Sequence, residues 1–186
     1  MIQSGAAGWQ RLVFDEFHGL VHGLLYKGLG PSAEVEDLVG DVFLSLFEHA
    51  RSIRAAHAVR SYVVSVTMNA VRRELRQRKR RTLFERLTGA SDDGERLAAT
   101  DDPKAKAALL QLSRILDGLG TEERLAFVLH GLEGLQLAEV AEALSVSLST
   151  AKRRVRAANE YMRKRVSRNV LLADYIRERS PRGESW

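Results

Sequence analysis

Apolar residues recur along the chain at helical spacing and almost nowhere at strand spacing. Val13, Phe17, Leu20 and Leu24 share one face of a first predicted helix, which breaks at Gly28, Gly30 and Pro31. A second begins after Ser32, with Glu34 and Glu36 in its first turn, where the positive helix end favours carboxylates, and Val35, Leu38, Val42 and Leu46 on its inner face. A third, from about Ala58 to Arg81, buries Val59, Val63, Val66 and Ala70. The rhythm weakens from Thr82 to about Lys104. It resumes at Leu109, Leu112, Leu116 and Leu119, and again at Leu125, Val128 and Leu132 after Thr121. Leu137, Val140, Ala141 and Leu144 then lie at i, i+3, i+4 and i+7. Ser145, Val146 and Ser147 interrupt them, and Leu148, Ala151, Val155, Ala158 and Met162 follow as a last stripe. The predicted class is all-α: two small helical domains joined by a flexible linker, the second containing a helix-turn-helix.

The last two stripes matter most for function. Their outward face carries Ser149, Lys152, Arg153, Arg156 and Arg163, which are free to meet phosphate and bases. A major groove admits one α-helix, whose first turns reach base edges while a preceding helix crosses the backbone. Ser147 or Ser149 can cap the second helix, and Val146 is placed to wedge between the two. On the residues alone, a helical hairpin with a solvated basic face is the alternative.

Charge sharpens this picture. The formal net charge is +5 over 186 residues, but it is unevenly spread. Arg72, Arg73, Arg76, Arg78, Lys79, Arg80 and Arg81 form one cluster, and Lys152 to Arg165 form another. Clustering of this kind suits a polyanion. Between them lies a loop-forming acidic stretch with Asp92, Asp93, Asp101 and Asp102, which reads as an interdomain linker. Cysteine is absent, so no disulfide framework or thiolate metal site can form, and a reducing cytoplasm is the expected location. No apolar run approaches the roughly 18 residues needed to span a bilayer, and no secretory segment is evident. No cofactor, metal site or catalytic residue is expected, because nucleophile, base and orienting group, a glycine-rich phosphate loop or a ligand set cannot be assembled. Asp37 and Asp41 lie four apart and present two carboxylates together, but His49 and His57 have no ligand-like spacing to them.

Two separated segments resemble one family, the extracytoplasmic-function type sigma factors of bacterial RNA polymerase. Glu36 to Leu44 resembles the acidic-apolar helix with which that family grips the polymerase clamp. Ser61 to Arg81 resembles the helix that captures the minus-ten promoter element. Gly134, Leu135, Glu139, Ala141, Leu144, Val146, Thr150, Lys152 and Arg154 are similar to the family's minus-thirty-five reader. The resemblance implies a sigma region 2 over residues 8–82, an acidic linker over 83–104, a region 4 over 105–166 and a tail over 167–186. It implies core polymerase contacts at Asp37, Leu38, Asp41, Val42 and Phe43. Minus-ten contacts follow at Asn69, Arg72, Arg73, Arg76, Lys79 and Arg80, and minus-thirty-five contacts at Ser149, Thr150, Lys152, Arg153 and Arg156. Arg78 joins the phosphate-holding group, and Asn69 is placed where its amide can both donate to and accept from a base.

Core RNA polymerase and promoter DNA are the implied partners, with room for an anti-sigma factor and without membrane insertion. Four positions depart from the family pattern: Gly40 where glutamine is usual, Tyr62 for a common tryptophan, Arg73 at a usually acidic position and Ala157 at an often basic one. The competing function is a stand-alone helix-turn-helix regulator whose first domain dimerises or senses a ligand. Such proteins read paired half-sites as symmetric dimers. A third reading is an interaction module that contacts no DNA, against which the arginine density argues.

Overall fold

The structure is a computed structural model that describes residues 8–49, 58–88, 103–169 and 172. The acidic stretch with Asp92, Asp93, Asp101 and Asp102, together with His57, Val170, Leu171 and Tyr175, lies outside the described residues. Among those described, all regular structure is helical: α1 (Trp9–Leu29), α2 (Glu34–His49), α3 (Ala58–Thr88), α4 (Pro103–Asp117), α5 (Thr121–Phe127), a π-turn (Val128–Leu132), α6 (Leu137–Ala143) and α7 (Leu148–Val166).

The first three helices pack together around Leu24, Leu25, Val39, Val42, Phe43, Val63, Met68 and Val71. The stripes explain it, since each helix turns one apolar face inward. Gly28 lets α1 and α3 approach closely: a Cβ there would meet Val71 Cγ1 at 2.8 Å. Aromatic edges seal the outer rim, with Trp9 against Phe47 and Phe14 against Phe43 at centroid distances of 5.3 and 4.7 Å. Tyr62 is a half-buried aromatic packed on the same core.

Helix α3 runs 31 residues, seven beyond the predicted end at Arg81. Its last two turns expose Leu83, Phe84 and Leu87, so no buried stripe announced them.

In the second half, Leu116, Leu119, Phe127, Ala158 and Met162 pack together where α4 meets α7. The helix predicted after Thr121 widens at Val128, where Glu133 N–H reaches back five residues to the Val128 carbonyl at 3.0 Å. Leu148, expected on the buried stripe of α7, is 55% exposed. It occupies the first helical position, before the stripe has turned inward.

The two halves are packed against each other. Leu125, Ala126, Val128, Leu129, Val140 and Leu144 belong to the same buried cluster as Leu24, Val63 and Val71, with α5 and α6 seated on α3. Polar contacts reinforce the seam. Lys27 Nζ lies 2.6 Å from Glu133 Oε1, and Arg124 Nε donates to the Gly28 carbonyl at 2.6 Å.

Candidate nucleic-acid interface

The turn between α6 and α7 is built from short polar residues for local reasons. Gln136 N–H donates to Glu139 Oε2 at 2.7 Å, satisfying an orphan amide at the start of α6. Leu144 closes that helix. Ser145 then takes φ 54°, a left-handed conformation, which lets Val146 N–H return to the Ala141 carbonyl at 2.9 Å. Val146 packs against the core between the two helices. Ser147 caps α7 by accepting from Thr150 N–H at 3.2 Å.

With that start fixed, the 3.6-residue period sorts the rest of α7. Ala151, Val155, Ala158 and Met162 are buried. Ser149, Lys152, Arg153, Arg156 and Arg163 are exposed, and Thr150 is half-buried at the first turn. The result is a cationic helix face with hydroxyls and free amide groups at its tip, the arrangement that enters a groove.

A second basic surface lies on α3. Arg73, Arg76, Lys79 and Arg80 are exposed, as is Asn69, whose Oδ1 accepts from Arg72 Nη1. Asn69 and Arg73 border a cleft of about 310 Å³ between α2 and α3, lined also by Asp41, Val42, Ser45, Val66 and Ala70. Arg73 stands 3.7 Å from Asp41 across it.

Arg78 is different. Its guanidinium is spent inside the molecule, donating to Glu74 Oε1 at 2.9 Å, the Leu29 carbonyl at 3.0 Å, Ser32 Oγ at 3.2 Å and Glu34 Oε2 at 2.6 Å. Partial burial pushes the Glu34 carboxyl up, but the hydrogen bonds and charge of Arg78, with help from Ser32 and Arg81, outweigh it and hold the group below its ordinary value.

Sequence comparison gives these surfaces a family. Residues 13–81 match the model of sigma-70 region 2, and residues 109–159 match that of sigma-70 region 4. The chain belongs to the sigma-70 family. It is 25% identical over 154 residues, 81% of this chain and 88% of the relative, to the ferric citrate uptake sigma factor FecI of Escherichia coli (strain K12). It is 26% identical over 167 residues to the ECF RNA polymerase sigma factor SigE of Mycolicibacterium smegmatis (strain ATCC 700084 / mc(2)155), covering 87% of this chain and 62% of that one. Among solved structures it is similar to the sigma factor RpoE in its complex with the anti-sigma factor NepR from Bartonella quintana, with a TM-score of 0.68 at 16% identity, covering 87% of this chain and 98% of the other. The corresponding figures for CnrH, solved with the cytosolic domain of CnrY, are 0.57, 18%, 93% and 92%. This protein is a sigma factor of the extracytoplasmic-function type. It directs transcription, with core RNA polymerase and promoter DNA as partners.

The sigma factor's region 2 presents a third face on α2, where two of the residues assigned to polymerase contact by resemblance are exposed and three are not. Asp37 and Asp41 are exposed. Leu38, Val42 and Phe43 are buried in the core, at 9%, 1% and 3% exposure, so they hold the helix in place. The apolar spacing of Leu38 and Val42 already marked the inward face, whereas Phe43 lay outside that stripe. The apolar side chain that α2 does expose is Leu44, at 63%.

Arg154, matched to the family's reading helix, also turns inward. Its Nη1 sits 3.1 Å from Glu122 Oε2, an ion pair without an aligned hydrogen bond. Among the described residues no group of three or more His, Cys, Asp or Glu side chains can hold a metal ion, and no helix is long and apolar enough to cross a membrane.

Proposed function

We propose that this sigma factor divides its task among three helical faces. Asp37, Asp41 and Leu44 on α2 dock on basic and apolar side chains of the polymerase clamp. Asn69, Arg72, Arg73, Arg76, Lys79 and Arg80 on α3 hold the melted minus-ten strand. Ser149, Thr150, Lys152, Arg153 and Arg156 on α7 read the minus-thirty-five duplex. Residues 8–82 and 105–166 serve as the two working domains and 83–104 as the connection between them. The protein performs no covalent chemistry and works in the cytoplasm, where polymerase and promoter are found. The cleft beside Asn69 offers an amide and a guanidinium to a displaced base, which must be kept from restacking once the duplex opens. One similar structure is a sigma factor held by an anti-sigma factor, and we read this chain as open to the same kind of control.

The observation that carries the reading is the segregation along α7, with a cationic tip outside and a stripe of alanine, valine and methionine inside. The test is promoter binding by the reconstituted holoenzyme. Arg153→Ala and Lys152→Ala should each cost about 1–3 kcal/mol on the cognate minus-thirty-five element and much less on a scrambled one. Lys79→Ala and Arg80→Ala should weaken all sequences alike and flatten the salt dependence by about one unit each. Sequence-selective losses at Lys79 and Arg80, or uniform ones at Lys152 and Arg153, would reverse the assignment of the two faces.

A further inference from the structure

The arginines of the α3 face are not all available. Glu122, in the first turn of α5, receives Arg72 on both oxygens, with Nε 2.9 Å from Oε1 and Nη2 3.3 Å from Oε2. Arg76 Nη2 lies 3.3 Å from Oε1, and Arg154 Nη1 lies 3.1 Å from Oε2. Three guanidinium groups, two from the first half of the molecule and one from the second, converge on one carboxylate. Forked, two-oxygen contacts from clustered arginines are the way proteins hold phosphate.

We propose that Glu122 is an internal substitute for a DNA phosphate. It occupies Arg72 and Arg76 and holds the second half of the chain across part of the minus-ten face. Strand capture there then requires the halves to part. The inference rests on the reading above that Arg72 and Arg76 face DNA. It makes domain closure and single-strand binding compete for the same guanidinium groups, so the two are thermodynamically coupled. The masking is one-sided: Lys152, Arg153 and Arg156 stay exposed in the closed arrangement, and the duplex-reading helix is left free. Losing Glu122 does more than remove attraction, because Arg72, Arg76 and Arg154 would then face one another with no counter-charge between them.

The absence of native cysteine permits a direct test on the full chain. Glu16→Cys on α1 and Asn159→Cys on α7, both exposed positions, carry a donor and acceptor dye. In the otherwise native sequence, energy transfer is expected to fall when a mixed-sequence single-stranded oligonucleotide is added. With Glu122→Gln it should already be low without DNA, and the oligonucleotide should bind at least about fivefold more tightly. Duplex affinity should change far less, and Glu123→Gln should behave as the native protein does. Circular dichroism verifies folding, and if the glutamine variant does not fold, Glu122→Asp carries the test with an intermediate gain. Unchanged transfer and affinity in Glu122→Gln would overturn the proposal, as would lowered transfer without tighter single-strand binding. Promoter-specific initiation with core polymerase, measured on the native chain, reports separately on the functional reading beneath it.

Discussion

Arg124 is the test of how the two halves are held together. It is only 2% exposed, yet it carries a full charge. Its Nε donates to the Gly28 carbonyl at 2.6 Å, and its Nη1 to Asp117 Oδ1 at 2.8 Å. Gly28 belongs to the last turn of α1, where helix carbonyls lack intrahelical donors and carry the negative end of the dipole. Arg78 donates to the neighbouring Leu29 carbonyl, so two arginines from different elements cap one helix end.

Replacing Arg124 by methionine keeps most of the packing volume and removes both donors. Breaking a fully buried ion pair costs about 3–5 kcal/mol, because the abandoned partner stays buried. Here Asp117 is 37% exposed and can regain water, whereas the Gly28 carbonyl cannot, which lowers the expected loss to about 2–3 kcal/mol. For a chain of this size that is a fall in Tm of about 4–12 °C. Urea unfolding followed by circular dichroism measures it. Because the lost bond spans both halves, the variant should also show a broader transition or two separate ones, a departure from two-state behaviour. A loss under about 0.5 kcal/mol with a single sharp transition would refute the reasoning, since that is what a surface substitution gives.

Three other outcomes follow from the same geometry. Glu34 is held below the ordinary carboxylate value by Arg78, so its contribution to stability is present above that ordinary value and is lost as pH falls through its lower folded value; urea melts across the acid range should show this slope, and Glu34→Gln should flatten it. Gly40 faces open space in the middle of α2, so Gly40→Ala should stabilise region 2 by up to about 1 kcal/mol in a thermal melt. Ser147→Ala removes the cap of α7 and should cost about 1 kcal/mol in the same melt, with a parallel loss of duplex binding in a gel shift with holoenzyme.

The stripes made most of the helices legible, because an amphipathic helix writes its buried face into the sequence every three or four residues. The helix-turn-helix was legible for a stronger reason: its stripe, its three-residue turn and its basic outer face coincide between Leu137 and Met162. The end of α3 was not, since Leu83, Phe84 and Leu87 project into solvent and leave no inward pattern to read. Nor did Arg78, in the unbroken basic run from Arg78 to Arg81, differ in any local way from Lys79 or Arg80; its fate is set by Leu29, Ser32 and Glu34, more than 40 residues away. The same holds for Glu122 and Arg124. Each looks like an ordinary charged residue at a helix start, and its role comes from partners about 50 and 96 positions distant in the chain. Leu38 and Val42 show the reverse case, in which the helical period alone marked the burial that the structure shows.

The most direct measurement is transcription by purified core RNA polymerase on a pool of genomic DNA fragments, with and without this chain, and with start sites mapped. Addition of the chain should move initiation to a defined set of sites sharing two elements, and the exposed residues of α7 should govern the upstream one. Start sites that do not move, together with tight binding of the free chain to symmetric duplex half-sites, would contradict the assignment and favour a stand-alone dimeric regulator.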